Sequence, residues 1–189
     1  MMIDNQLIKL LIKNLKEGLT SEPYTLSPYG FGDDLEIQQS HQPTQQGVNS
    51  NRTIYLKKIG PSRPYGFPGR RDKWDASHQV MKHTEINWYE STFQFSALAI
   101  QDPKNINSIT AHDIVVAVKQ VMYSDRMRGA LLAEGVGMYR ITTIRPTYFT
   151  DDYDRFEDAP SFDVTFTYKN IVTTAGNVIE SIKPDVYPV

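Results

Sequence analysis

Apolar residues recur at helical spacing near the start of the chain. Leu7, Leu11 and Leu15, with Ile8, Ile12 and Leu19, fall on one stripe, and Lys9, Lys13, Lys16 and Glu17 lie away from it. The spacing predicts an amphipathic helix from about Asn5 to Glu17, capped by Asp4 and stopped at Gly18. Thr20 to Gly32 carries Pro23, Pro28, Gly30 and Gly32 and reads as a loop. Alternation of Leu35 and Ile37 with Glu36 and Gln38 predicts a strand, and Thr53 to Ile59 a second one. The clearest strand is Tyr89 to Ile100: Phe93, Phe95, Ala97 and Ala99 take one face, Thr92, Gln94 and Ser96 the other.

Thr110 to Asp113 (T-A-H-D) resembles a capping box with Asp in place of Glu. It opens a helix whose buried face is Ile114, Val115, Val118, Val121 and Met122. Ser124 caps a short helix that runs to Leu132 and ends at Gly135. Met138 to Arg145 and Ser161 to Tyr168 read as strands. In the second, Phe162, Val164, Phe166 and Tyr168 face in while Asp163, Thr165 and Thr167 face out. Antiparallel pairing of these two, joined by an acidic loop, is the simplest solution. Val172 to Val189 reads as an extended tail. The fold class is α+β: a mixed, mainly antiparallel sheet with helices on one face and long loop excursions. The expected core includes Phe93, Phe95, Ile114, Val118, Met122, Val164 and Phe166.

Gly60 to Ala76 breaks the pattern. Pro61, Pro64, Gly66, Pro68 and Gly69 disfavour a helix or a central strand. An irregular stretch this long has a purpose. Its large side chains and turn residues predict an excursion that projects from the subunit and is ordered mainly by neighbouring chains.

A length of 189 residues suits a single domain over 1–189, with 60–90 as an extended insertion and 148–160 as an acidic hairpin loop. Twenty basic and 22 acidic residues give a net charge of −2, which argues against a dedicated nucleic-acid binder. The chain has no cysteine, so disulfides and thiolate metal sites are excluded. Lysines interrupt the N-terminal apolar stretch, so neither a membrane span nor a signal peptide is expected.

No catalytic, cofactor or metal constellation rises above background. His78 and His83 are five apart, off the spacing of one helical face; with Glu85 they form a weak metal candidate. The Gly-rich strings at Gly30 and Gly66 lack the residues of a phosphate loop. The run D-D-x-D-x-x-E-D from Asp151 lacks the glycine and terminal glutamate of an EF-hand.

Charge patterning is more informative. Arg52 to Lys73 holds seven cations against Asp72, a local net of +6, and Asp151 to Asp163 has a local net of −5. These are two solvated loops or two halves of a head-to-tail contact between copies. Arg63, Tyr65, Phe67, Arg70, Arg71 and Trp74 on one side, and Asp151, Asp152, Asp154 and Arg155 on the other, are the candidate interface residues. Arg and large aromatics are the types enriched in hot spots.

Several local strings together resemble the neck and tail-terminator proteins of tailed bacteriophages. They are His41-Gln42-Pro43-Thr44-Gln45-Gln46-Gly47, the stretch from Lys58-Ile59-Gly60 to Tyr65-Gly66-Phe67-Pro68, and Tyr89-Glu90-Ser91-Thr92-Phe93-Gln94-Phe95. Gly135-Val136-Gly137, Tyr148-Phe149-Thr150-Asp151-Asp152, Asp154-Arg155-Phe156 and Ser161-Phe162-Asp163 follow in order. The resemblance implies a non-enzymatic α+β subunit of a ring, usually a hexamer, in the virion neck. Such a ring stops tail-tube growth and meets the head connector, and DNA passes through its lumen without sequence-specific binding. It implies no cofactor and no membrane partner. A portal-side adaptor ring, expected to be twelve-fold, and an enzyme with a non-obvious site are the alternatives.

Overall fold

A computed structural model describes residues 4–20, 35–40, 52–99, 104, 108–146, 148–150 and 156–176. Helix α1 (Asp4–Leu19) is followed by strands β1 (Leu35–Gln39), β2 (Arg52–Lys58), β3 (Arg63–Asp75) and β4 (Val80–Ala99). Then come α2 (Ala111–Tyr123), α3 (Asp125–Ala133), β5 (Val136–Ile141), β6 (Tyr148–Thr150), β7 (Phe156–Asp158) and β8 (Ser161–Gly176). The main sheet has the order β1-β2-β4-β8-β5, with β3 on the edge of β4 beside β2; β6 and β7 form a separate two-stranded sheet. Only the β1–β2 pair is parallel among the described strands. The mixed, mainly antiparallel α+β architecture is the expected one.

One core joins the layers. Leu7, Leu11 and Leu15 of α1 and Ile114, Val118 and Met122 of α2 are buried with Phe93 and Phe95 of β4 and Phe162, Val164 and Phe166 of β8. All seven residues expected in the core are there. Phe93 and Phe166 meet edge to face at 5.9 Å, and Phe95 stacks on Phe162 at 5.3 Å. The α2 cap closes as expected: Asp113 N–H donates to Thr110 Oγ1 at 3.1 Å and Thr110 N–H to Asp113 Oδ2 at 3.0 Å. Ser124 Oγ accepts from Met127 N–H at the start of α3. Gly135, at a φ of 73°, donates to Leu132 O and ends that helix.

Four elements differ from the sequence reading. Gly18 does not stop α1. It is buried inside the helix, where an added Cβ would stand 2.5 Å from Val121 Cγ1 of α2, so its missing side chain permits the helix contact. Asp4 lies in the first turn of α1, with its carboxylate 2.7 Å from Lys58 Nζ. Gly60 to Ala76 is no irregular excursion: Arg63–Asp75 pairs antiparallel with Val80–Glu90 of its own chain, and its prolines are tolerated because β3 is an edge strand. A register shift between Tyr65 and Gly69 absorbs Gly66, Phe67 and Pro68. Finally, β4 begins at Val80 rather than Tyr89, and β8 runs on to Gly176.

These last two extensions build an arm. Beyond Tyr89 and Tyr168, β3, the first half of β4 and the end of β8 continue as three strands with no core behind them. No side chain in 63–90 or 169–176 is fully buried. The eleven residues Val80–Glu90 at ~3.3 Å each make the arm about 35 Å long. Within 148–160, β6 and β7 pair antiparallel; the residues between them, Asp151 to Arg155, lie outside the described residues. The expected ends at Asp102-Pro103 and beyond Gly176 also lie outside them.

Candidate interaction surface

The arm carries six of the ten candidate interface residues. Arg63, Tyr65, Phe67, Arg70, Arg71 and Trp74 all stand on β3 and are exposed. Phe67, in the bulge, is 96% exposed, and Trp74 45%. A solvated loop has no use for such groups, whereas an interface does. Asp151, Asp152, Asp154 and Arg155 fall between β6 and β7, outside the described residues.

The register assigns the arm two faces. Pairs directly opposite share a face. Phe93 opposite Val164 and Ser91 opposite Phe166 face the core, and the same phase carries Tyr89, Asn87, Glu85 and His83 along that face. Opposite them on β3 are Arg70, next to Glu85, and Asp72, next to His83. The other face carries Trp88, Ile86, Thr84 and Lys82 on β4, Lys169, Ile171 and Thr173 on β8, and Arg63, Tyr65, Arg71 and Lys73 on β3. Lys169 Nζ lies 4.6 Å from the Trp88 ring centre, and Tyr65 reaches Tyr139 of β5 at 5.7 Å. This outer face is therefore aromatic and basic. Sequence reading missed Trp88, Lys82, Tyr139 and Lys169. The two-residue period of a strand, extended back from Phe93, was the signal for the first two.

Two ion clusters hold the arm's far end. His83 Nδ1 stands 2.8 Å from Asp72 Oδ1, with Arg70 Nε 3.3 Å from the same oxygen. The hydrogen bond from His83, then Arg70, holds the Asp72 carboxyl below its ordinary range. At the turn, Lys82 Nζ lies 2.6 Å from Asp75 Oδ2, and Ser77 and His78 bond the same carboxylate. Lys82 first, then Ser77 and His78, push Asp75 well below the usual carboxylate range. His78 and His83 are thus each tied to a separate aspartate. Among the described residues no group of three His, Asp or Glu side chains is placed to hold a metal.

The arm's root has a polar joint. Ser62 Oγ lies 2.7 Å from Ser91 Oγ, 2.9 Å from Tyr168 OH and 3.0 Å from Lys58 Nζ. Serine, lysine and tyrosine together are the residue types of some acyl-transfer sites. Here the Lys58 ammonium donates to Asp4 at 2.7 Å and to Ser62, the geometry of an ion pair rather than of a base drawing a proton from a nucleophile. The joint locks β3 onto the core where β2 leaves off. Elsewhere Asp163, counted with the acidic stretch, is bound by Arg145 through both carboxylate oxygens at 2.8 and 2.7 Å.

Comparison with known proteins places this architecture. The family described as E217 gateway protein gp29 matches residues 6–178, a span that takes in the helical layer, the arm and the acidic hairpin. The chain belongs to that family. Among solved structures, the sheath/tube terminator of an extracellular contractile injection system, PVC, in its extended state superposes with a TM-score of 0.52 at 9% identity. The superposition covers 100% of this chain and 64% of that one, so the chain spans just under two thirds of the terminator's length. A search of curated proteins finds no match. The gateway family is a phage family, and the likeness to the terminator is one of fold. That agrees with the neck and tail-terminator resemblance of the sequence. The exposed arm residues are candidates for contacts in assembly. Among the described residues no helix is long and apolar enough to cross a membrane.

Proposed function

We propose that the chain assembles into a closed ring of identical subunits, six in number, at the head–tail junction of a tailed phage. The ring ends the tail tube, meets the head connector, and lets the genome pass through its lumen without sequence-specific binding. The observation that carries this reading is the match of nearly the whole chain to a phage gateway family while its fold is that of a sheath/tube terminator. The physical chemistry supports it. A lone subunit would leave Tyr65, Phe67, Trp74, Ile171 and Val172 exposed along an arm without a core. Neighbours in a ring or in the tail would cover them. The net charge of −2 suits a channel that DNA traverses and leaves. In this reading the protein is made in the host cytoplasm and ends up in the virion, with the tail tube and head-connector proteins as partners, and does no catalysis.

Native mass spectrometry of the purified chain and electron microscopy of phage made without it test the reading together. The expected results are a six-subunit mass, and filled heads beside unjoined tails whose tubes vary in length. A twelve-subunit mass would favour a portal-side adaptor instead. Infectious, normally joined particles made without the chain would overturn the neck assignment.

A further inference from the structure

The two faces of the arm differ in charge. The outer face carries Arg63, Arg71, Lys73, Lys82 and Lys169 against Asp75 and Glu90, five cations against two acids. The inner face is the one that meets the helices in the body of the subunit. Along the arm it carries Arg70 against Asp72 and Glu85, with His83 beside them. Much of this charge is left unmatched within the subunit. His83 and Arg70 take up Asp72, so Glu85 remains exposed and, among the described residues, forms no ion pair. On the outer face Lys82 turns to Asp75, while Arg71 and Lys73 meet no acid among the described residues. Lys73 stands directly opposite Lys82 in the ladder, and like charges so placed weaken a sheet unless an anion comes between them.

Both faces also leave large apolar groups in water. Tyr65 is 42% and Ile171 51% exposed on the outer face, and Trp74 and Val172 are each 45% exposed on the inner one. In the body the helices form a second layer over Phe93 and Phe166; along the arm no element of the chain does so for either face. Three strands spaced about 4.8 Å apart and about 35 Å long give each face an area of about 500 Å². One such face laid on another hides about 1,000 Å², the least that a specific interface needs. An arm of equal length and twist is the surface that matches an arm best. Contact between the outer face of one and the inner face of the next covers both faces of every arm with a single repeated interaction. It also brings the unmatched cations to the unmatched acid. Outer face against outer face would instead oppose two sets of five cations.

We propose that the arms of neighbouring copies stack face to face, the basic outer face of one arm lying on the inner face of the next. Arg71 and Lys73 of one copy then meet Glu85 of its neighbour, and Tyr65 and Ile171 pack toward the neighbour's Trp74 and Val172. The neighbour's arm supplies the second layer that the helices supply in the body. The contact joins different surfaces of two copies, so repetition closes a ring when the rotation permits. This inference rests on the ring reading above and names a surface through which the ring holds together.

The chain has two tryptophans, and the register puts Trp74 on the inner face and Trp88 on the outer. Trp88→Phe therefore reports on the inner face alone, and Trp74→Phe on the outer. Acrylamide quenching is measured for each variant as the assembled ring and as the diluted monomer. Quenching should fall about twofold on assembly in both, because each ring enters an interface core. A ring in which only one tryptophan, or neither, is protected overturns the proposal while leaving the ring standing. Protection of Trp88 by duplex DNA added to the monomer, with no protection of Trp74 on assembly, would assign the outer face to a polyanion and overturn it too. Charge reversal at exposed positions gives a second measurement that does not depend on the tryptophan variants. Arg71→Glu with Lys73→Glu should keep the wild-type melting curve and weaken assembly about tenfold, and Glu85→Lys added to the same chain should restore it. Reversal without effect, or without recovery on adding Glu85→Lys, overturns the stacking. A wild-type chain that stays monomeric in native mass spectrometry would instead remove the ring reading itself, and this contact with it.

Discussion

Replacing Gly18 with alanine sets two effects of known sign against each other. An alanine in a helix interior is favoured over glycine by up to ~1 kcal/mol, and by less in the last turn. Against this, the new Cβ would stand 2.5 Å from Val121 Cγ1 and 3.3 Å from Cγ2. Carbon atoms rest at about 3.5–4.0 Å, so one helix or the valine must give by roughly 1 Å. Val121 is buried, and a β-branched side chain in a helix has one strongly preferred rotamer, so it does not swing aside freely. Overpacking of this kind costs about 1–3 kcal/mol, and the clash wins by about 1–2 kcal/mol. Gly129 is the control: it is exposed in α3 and its added Cβ meets nothing within 4 Å, so Gly129→Ala should stabilise by about 0.5–1 kcal/mol. Urea unfolding followed by circular dichroism, with unchanged m-values, reads both. A Gly18→Ala variant as stabilised as Gly129→Ala would refute the close approach of α1 to α2.

Three further outcomes are expected. Thr110→Ala removes the hydroxyl that accepts from Asp113 N–H and should cost about 1 kcal/mol in the same urea assay; Thr110→Ser should recover most of it. Ser62→Ala takes three partners from the joint but leaves Ser91 and Tyr168 with each other at 3.3 Å, so a loss of about 1–2 kcal/mol is expected, with amide exchange rising along β3 before the core strands. Asp72 and Asp75 are both held below their ordinary range, so what they contribute is complete above the unfolded carboxyl value near ~4 and is lost as pH falls through their lowered values. Both tryptophans, Trp74 and Trp88, lie in the arm. Their fluorescence should change as pH falls below about 4, and a signal that does not change there would contradict the role given to these carboxylates.

What the sequence disclosed follows the presence of a core. Where a strand has helices behind it, as at Phe93–Ala97 and Phe162–Tyr168, apolar and polar residues alternate and the element is legible. Where β4 and β8 run out into the arm, both faces meet solvent. Lys82, His83, Thr84 and Glu85 then carry no period, and the strands look like connections. β3 was hidden for a related reason: its prolines and glycines, read as loop signals, mark a protected edge and a bulge. Gly18 looked like a helix stop because a buried glycine at a helix crossing leaves no local sign. The candidate interface was half legible. Exposed Arg and aromatic residues on β3 stand out by type, but their strand and the basic residues across from them on β4 and β8 depend on register. Asp163 adds to the charge count of the acidic stretch, but its ion pair with Arg145, 18 residues earlier in the chain, is not visible in the sequence.

Electron cryo-microscopy of the intact virion neck tests the central claim most directly. The account predicts a closed ring of this chain between the tail tube and the head connector, its helical layer and arms packed among neighbouring copies and its lumen wide enough for duplex DNA. A neck without density for this chain, or one in which it stands as isolated copies outside the DNA channel, would contradict it.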